Sequence, residues 1–417
     1  MQVVHARCCG LDVHKKSVVA CVLVTEPDGS VRRQVRTFGT MTADLLALDD
    51  WLTEHGVTQI AMESTGVYWR PVFNILENEE RTLTLVNAQH LKAVPRHKTD
   101  VKDSEWLADL LRHELVKASF IPPAPIRELR ELTRARKTLV QQRADAVNRV
   151  HKLLEGANIK LASVASNILG MSGRAMLDAL LAGETDLDLL ADLARGQLRK
   201  KRTALRQALN GRLAAHQRLL LAQLLTQIDF LSEQVKQLAD AIADRLAPMQ
   251  EAVALLQTIP GVSATAAAAL IAEIGVDMNR FPSAKHLASW AGLCPGNKQS
   301  GGKRLKEQTT SGNVWLKGVL SECAWAAART KETYLAAQFK RLARRRGVHK
   351  AVVAVAHSLL VIIYHVLHRG EAYHELGGDY FAQIDSSRAE RYHIKRLTAL
   401  GYTVTLTPLA DAEPIPA

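Results

Sequence analysis

Apolar residues cluster in short runs over 9–13, 18–25 and 31–38, which predicts three strands. The polar groups His14-Lys15-Lys16-Ser17 and Pro27-Asp28-Gly29-Ser30 supply the turns between them. From residue 42 to 55 the period changes, with Leu45, Leu46, Leu48 and Leu52 at helical spacing. A buried strand over 59–62, a helix over 67–79, a strand over 82–86 and a helix over about 103–116 follow. Ile121-Pro122-Pro123-Ala124-Pro125 then ends the unit, because prolines so closely spaced cannot continue a helix.

Farther along, Leu224, Ile228, Leu231, Val235, Leu238 and Ile242 step alternately by four and three, the seam of a coiled coil. Such a helix requires a partner helix, from the same chain or another subunit. Pro248 and Pro260-Gly261 punctuate the next change, before an alanine-rich helix over Ala264–Ile274. The stretch 255–274, LLQTIPGVSATAAAALIAEI, resembles a helix-hairpin-helix, whose hairpin amides and following helix start can hold a phosphate. Tight helix packing on the alanines explains the same residues, and both readings stand.

These elements predict an α/β plus α chain in four parts. Residues 1–125, in the order βββαβαβα, form a mixed sheet with helices on its faces, as in the ribonuclease-H-like architecture. Residues 126–247 are a helical and coiled-coil linker, 248–380 a mainly helical domain, and 381–417 a tail, disordered after Thr407. No internal repeat is visible.

Composition narrows the partner. With 417 residues and 47% hydrophobic content the chain can bury a large core. Its 54 Lys and Arg against 42 Asp and Glu leave a net charge of +12, which favours a polyanion. Residues 296–350 alone carry 13 Lys and Arg against Glu307, Glu322 and Glu332, a net +10. A second run, Arg195, Arg199, Lys200, Lys201, Arg202 and Arg206, contains no acid and reads equally as a solvated face or a phosphate track.

The 5 cysteines are odd in number and scattered, which argues for a reducing compartment and against structural zinc. The longest apolar stretch, 351–367, is interrupted by His357, Ser358 and His365, and no apolar leader precedes a cleavage site. A cytoplasmic, nucleoid-associated protein outside the membrane is expected. His349, His357, His365 and His368 read as packing or polar-face residues rather than metal ligands.

The chemistry begins with carboxylates at strand ends. Asp12 ends the first strand and Glu63 directly follows the strand over 59–62, so both are placed to converge at one rim of the sheet. Asp100 and Asp103 are three apart at a helix start, a spacing that puts them on one face. Taken singly, Asp103 reads as well as a helix N-cap and Asp12 as a turn residue. Glu63 is harder to explain without a partner, since a carboxylate directly after a buried strand is costly. Four gathered carboxylates repel unless cations occupy the cluster, and Mg2+ or Mn2+ accepts such oxygen ligands. A pair of these ions can activate a nucleophile and stabilise the leaving oxygen of a phosphodiester.

Gly10-Leu11-Asp12-Val13-His14-Lys15, Met62-Glu63-Ser64-Thr65-Gly66-Val67-Tyr68-Trp69 and Lys98-Thr99-Asp100-Val101-Lys102-Asp103 together resemble the three signature blocks of the insertion sequence 110 family of transposases, relatives of Piv-type DNA invertases. The resemblance implies a RuvC-like domain whose DEDD tetrad is Asp12, Glu63, Asp100 and Asp103. Ser104 departs from the alanine usual after the last aspartate, without touching a ligand.

Ala291-Gly292-Leu293-Cys294-Pro295 and Gln299-Ser300-Gly301-Gly302-Lys303-Arg304 resemble the family's second domain, where a loop serine joins DNA covalently. The glycines beside Ser300 permit close backbone approach to a phosphate, and Lys298, Lys303, Arg304 and Lys306 can neutralise its charge. A serine hydroxyl needs a base or metal to activate it. Without the resemblance this loop reads as solvated linker. Ser311 is the rival nucleophile, although its place before an amphipathic helix suits an N-cap. Arg344, Arg345 and Arg346 extend the candidate nucleic-acid-binding set.

The expected function is thus that of a DNA recombinase or transposase. The resemblance further implies, for some members, direction by a structured noncoding guide RNA. Two other readings compete: a metal-dependent junction nuclease without serine chemistry, and a non-enzymatic nucleic-acid-binding protein. The coiled-coil seam and the need to hold two DNA duplexes point to a homodimer or tetramer.

Overall fold

The structure, a computed structural model, describes residues 2–63, 66–86, 100–296, 299–300, 303–304, 309, 312–384 and 386–406; of residues 100–101, 299–300, 303–304, 382, 384 and 386–389 it describes the backbone alone. Among these, the chain divides into two compact units, 1–121 and 122–417.

The first unit is built on a five-stranded sheet in the order β3-β2-β1-β4-β5. Its strands are β1 (Arg7–Val13), β2 (Ser17–Thr25), β3 (Val31–Gly39), β4 (Gln59–Glu63) and β5 (Thr82–Val86). The first three form an antiparallel meander, while β4 and β5 run parallel to β1. The interior strand β2, SVVACVLVT, is apolar along both faces because both are covered. At the edge, β3 exposes Arg32, Arg33 and Arg36, charges that discourage pairing with another strand.

Helices α1 (Thr42–Glu54) and α2 (Trp69–Leu76) cover one face, where Cys9, Leu11, Ile60 and Met62 meet Leu48, Leu52, Val72 and Leu76 in a continuous core. The opposite face is covered by α3 (Asp100–Arg112), whose Leu107, Ala108 and Leu111 pack on Cys8, Cys21, Leu23 and Ala61. This helix starts at Asp100 rather than near 103 and ends at Arg112; Glu114 follows with φ of 56°. Helix α2 is shorter at both ends than the pattern over 67–79, since the backbone becomes extended at Glu77.

The second unit begins with two long helices, α4 (Ala124–Gly156) and, after a cap, α9 (Ala215–Leu246). Arg245 pairs with Glu128, Arg143 meets Ser232 and Gly156 lies by Gln217, so the helices run antiparallel. The partner of the predicted seam is therefore in the same chain. Of its positions Ile228, Leu231 and Ile242 are buried, whereas Leu224, Val235 and Leu238 are half-buried. Toward the cap the buried stripe shifts to Leu221 and Leu225, because the cap covers that side. The cap comprises α5 (Leu161–Val164), α6 (Met171–Ala182), α7 (Leu187–Asp192) and α8 (Arg202–Ala208), gathered around Ile159, Ile168, Met176, Leu177 and Leu205. Within its basic run Arg202 pairs with Asp188 and Asp192, and Arg206 with Asp188, so part of the charge is neutralised locally.

Next come α10 (Gln250–Gln257), α11 (Ala264–Ile274) and α12 (Ala284–Trp290), then the short strands β6 (Gln299–Ser300) and β7 (Lys303–Arg304). Helices α13 (Val314–Ala327), α14 (Tyr334–Arg346), α15 (Val348–Arg369), α16 (Tyr380–Ile384) and α17 (Ser386–Ala399) complete the unit. By length and composition α15 is apolar enough to cross a membrane, yet half of its apolar stretch is buried against the rest of the unit. Val355, Leu359, Leu360 and Ile363 are wholly inaccessible, as in the core helix of a folded domain. His357 is half-buried there and its burial lowers its pKa, while His365 and His368 lie against the ring of Tyr364. The tail after Thr407 lies outside the described residues.

Candidate active site

Register brings the first two carboxylates together. Strands β1 and β4 pair in parallel with Leu11 opposite Met62, so Asp12 and Glu63, each one residue further, stand at adjacent strand ends about 5 Å apart across the sheet. Alternation puts both on the α3 face: Cys8 and Ala61, four and two residues earlier, pack on α3, while Leu11 and Met62 face the opposite core. The Asp12 side chain is 12% exposed and lies 3.2 Å from Nε2 of His14. Glu63 is half-buried.

Gly10 explains how α3 approaches this rim. A Cβ at Gly10 would lie 2.2 Å from the Ser104 carbonyl oxygen and 2.5 Å from the Ala108 nitrogen, so the helix backbone rests directly on β1. Ser104, fully buried, directly follows Asp103, and its carbonyl lies over Gly10, two residues before Asp12 in β1. Asp100 is the first residue of the same helix, and its side chain lies outside what the structure describes. Among the described residues no three His, Cys, Asp or Glu side chains group closely enough to hold a metal ion. What the described part brings together is two strand-end carboxylates and the amino-terminal turn of the helix carrying the other two.

The cysteines take no part in this rim. Cys8, Cys9, Cys21 and Cys323 are buried free thiols, and burial pushes Cys8 and Cys21 up to about 12 and Cys323 up to about 11. Such thiols stay protonated and serve as packing groups.

In the second unit Ser300 closes a minimal hairpin, with Gln299 opposite Arg304 and Ser300 opposite Lys303. Residues 301 and 302, between the paired positions, lie outside the described residues. A bridge between Pro295 and Thr309 ties the chain below it. Lys298, Lys306 and Ser311 lie outside the described residues, as do the side chains of Ser300, Lys303 and Arg304. Arg344, Arg345 and Arg346 are exposed in the last turn of α14.

The Pro260-Gly261 turn serves packing. Gly261 has φ of +89°, and a Cβ there would lie 2.6 Å from both the Ala327 nitrogen and the Cys323 carbonyl oxygen of α13. Its flanking residues Ile259 and Val262 are buried, and the Ser263 hydroxyl accepts from the Ala266 amide at the start of α11. Close helix approach accounts for the glycine.

Sequence reasoning passed over a buried cluster around Glu273, the last residue but one of α11, whose side chain is 3% exposed. Arg134 forms a two-point ion pair with it at 2.7 and 2.8 Å, and Asn313 Nδ2 donates to it at 2.5 Å. The available signal was a single carboxylate in an otherwise apolar helix, ATAAAALIAEI, which demands partners.

Comparison with known proteins decides the family. Residues 9–159 match the transposase domain of DEDD type from IS110 elements, and residues 253–340 match a second domain described as transposase IS116/IS110/IS902 family. The chain belongs to the IS110 family of transposases. It is 25% identical to the transposase for insertion sequence element IS1111A of Coxiella burnetii over 69% of this chain and 72% of that protein. Over shorter stretches it resembles the pilin gene-inverting protein of Moraxella bovis, 30% identical across 36% of this chain and 45% of that one. A protein of insertion element IS110 from Streptomyces coelicolor is 31% identical across 28% of this chain and 29% of its own length.

Proposed function

We propose that this IS110-family chain cuts and rejoins the DNA strands of a mobile element, using the tetrad Asp12, Glu63, Asp100 and Asp103 to hold Mg2+ or Mn2+ and Ser300 as the nucleophile. The observation that carries the reading is the parallel register of β1 and β4, which sets Asp12 beside Glu63 on the face covered by α3. A sheet of order β3-β2-β1-β4-β5 with an antiparallel first half supports a ribonuclease-H-like, RuvC-like assignment for this unit.

The donor set suits a hard divalent cation: carboxylate oxygens only, on rigid strand ends and one helix turn. Such an ion, when bound, polarises the scissile phosphate and stabilises developing charge. The chain's own contribution is the nucleophile. The Ser300 oxygen attacks phosphorus, its proton is taken up by solvent or a base, and the displaced deoxyribose oxygen leaves as a hydroxyl. One P–O bond forms and one breaks, so the phosphoserine diester conserves the bond energy. The reverse attack by a DNA hydroxyl reseals the strand and frees the serine.

Lys298, Lys303, Arg304, Lys306 and Arg344, Arg345, Arg346 are proposed to contact phosphates, with a structured noncoding guide RNA as a second polyanion alongside DNA. A homodimer or tetramer would hold two duplexes at once. The test is to incubate the protein with element-end DNA and magnesium and look for a protease-sensitive covalent adduct. Ser300→Ala should lose adduct and recombination while still binding DNA. An adduct that persists in Ser300→Ala and disappears in Ser311→Ala moves the nucleophile to Ser311; cleavage without any adduct marks a metal-dependent nuclease.

A further inference from the structure

Glu273 has more partners than charge balance requires. Besides the two-point contact from Arg134, Arg130 approaches its carboxylate at 3.4 Å and donates to the backbone carbonyls of Ala272 at 3.1 Å and Glu273 at 2.7 Å. These two arginines of α4 offset the charge of a deeply buried carboxylate and fasten the end of α11. The remaining contact points elsewhere, to Asn313. The Asn313 amide is divided in use: its oxygen accepts from the Trp315 and Leu316 amides and caps α13, while its nitrogen donates to Glu273.

Asn313 is where the chain returns from the β6–β7 hairpin. One residue earlier, Gly312 lies flush on the outgoing stem, since a Cβ there would be 2.5 Å from the Ala291 carbonyl and the Gly292 nitrogen. Four residues above Asn313, Thr309 bridges Pro295. Outgoing and returning stems are thus joined to each other, and the returning stem is fixed through Asn313 and Glu273 to α4 and α11. A hairpin with two residues per strand is marginally stable by itself and depends on what it is joined to.

We propose that Glu273 is a positioning residue, whose buried carboxylate fixes Asn313 and with it the stem of the hairpin that carries Ser300. This rests on the reading of Ser300 as the nucleophile. Misplacing a reacting group by about 1 Å can cost ~100-fold in rate, so loosening the anchor should slow the covalent step and leave DNA affinity unchanged.

Two variants of the full-length protein test this. Asn313→Ser keeps a good N-cap for α13 but has no nitrogen to reach Glu273; Glu273→Gln keeps an acceptor but removes the charge that Arg134 grips. The measurements are the single-turnover rate of adduct formation on saturating element-end DNA with magnesium, the DNA dissociation constant, and the melting temperature. Both variants should form adduct roughly 10- to 100-fold more slowly with affinity within about twofold of wild type. Adduct formed by Asn313→Ser at the wild-type rate overturns the proposal, as does a parallel loss of DNA affinity, which marks a general structural role. If Glu273→Gln fails to fold, Asn313→Ser still decides. Ser300→Ala, run alongside, separates the two ideas: persistence of adduct there removes the nucleophile reading, whereas its loss together with a fully active Asn313→Ser removes only the positioning role.

Discussion

Asp12 and Glu63 stand side by side because Leu11 pairs in parallel register with Met62, which makes their separation a property of the sheet rather than of a loop. Strand ends are among the more rigid places to mount ligands. A carboxylate pair fixed in this way repels itself, and the cation proposed for it would offset that repulsion.

Replacing either carboxylate by its amide keeps size and one acceptor oxygen, turns the other acceptor into a donor, and halves the paired charge. Asp12→Asn or Glu63→Gln should therefore lower magnesium-dependent strand cleavage by at least ~100-fold, the upper end of what losing even an outer-shell partner costs. The melting temperature without metal should stay level or rise, since repulsion is relieved. Wild-type cleavage by Asp12→Asn in magnesium would remove the metal-site assignment.

The basic end of α14 offers a test that is independent of chemistry. Arg344, Arg345 and Arg346 are all exposed and fall in the last helical turn, where cations are also favoured by the helix dipole. If they meet duplex phosphates, changing all three to alanine should flatten the slope of log affinity against log salt by about 0.9 for each phosphate no longer neutralised. A filter-binding or anisotropy titration across salt concentrations reads this directly. An unchanged slope and affinity would place α14 away from nucleic acid.

Much of the first unit was legible because its signals are local. Strand periods, the turns at 14–17 and 27–30, and the proline block at 122–125 each specify structure within a few residues, and the strands appeared within two residues of their expected bounds. The sequence pattern predicts the start of α3 near 103, whereas the helical turn already starts at Asp100. The seam of α9 was legible, but its shift to Leu221 and Leu225 depends on a cap built from residues far upstream. The Glu273 cluster was not legible at all. Its partners Arg134 and Asn313 are 139 and 40 residues away, and nothing in a single sequence pairs them.

Gly10 offers the sharpest structural test of the carboxylate rim. It lies on a strand with ordinary backbone angles, so a side chain there is excluded by space alone: the nearest atoms, the Ser104 carbonyl oxygen at 2.2 Å and the Ala108 nitrogen at 2.5 Å, belong to helix backbone and cannot rotate away. Gly10→Ala must push α3 off the sheet. The move strains the packing of Leu107, Ala108 and Leu111 on Cys8 and Ala61, and overpacking of this kind costs about 1–3 kcal/mol. It also shifts the helix that carries Asp103 relative to the strand that carries Asp12, so cleavage should fall further than the reduced stability explains. Cys8→Ala, which trims the same face and loses the thiol's 3.5 Å contact to the Ala108 carbonyl without pushing on the helix, is the control: it should cost comparable stability by opening a small cavity while cleavage stays close to wild type. Equal activity in the two variants at matched stability would show that the placement of α3 does not govern the site.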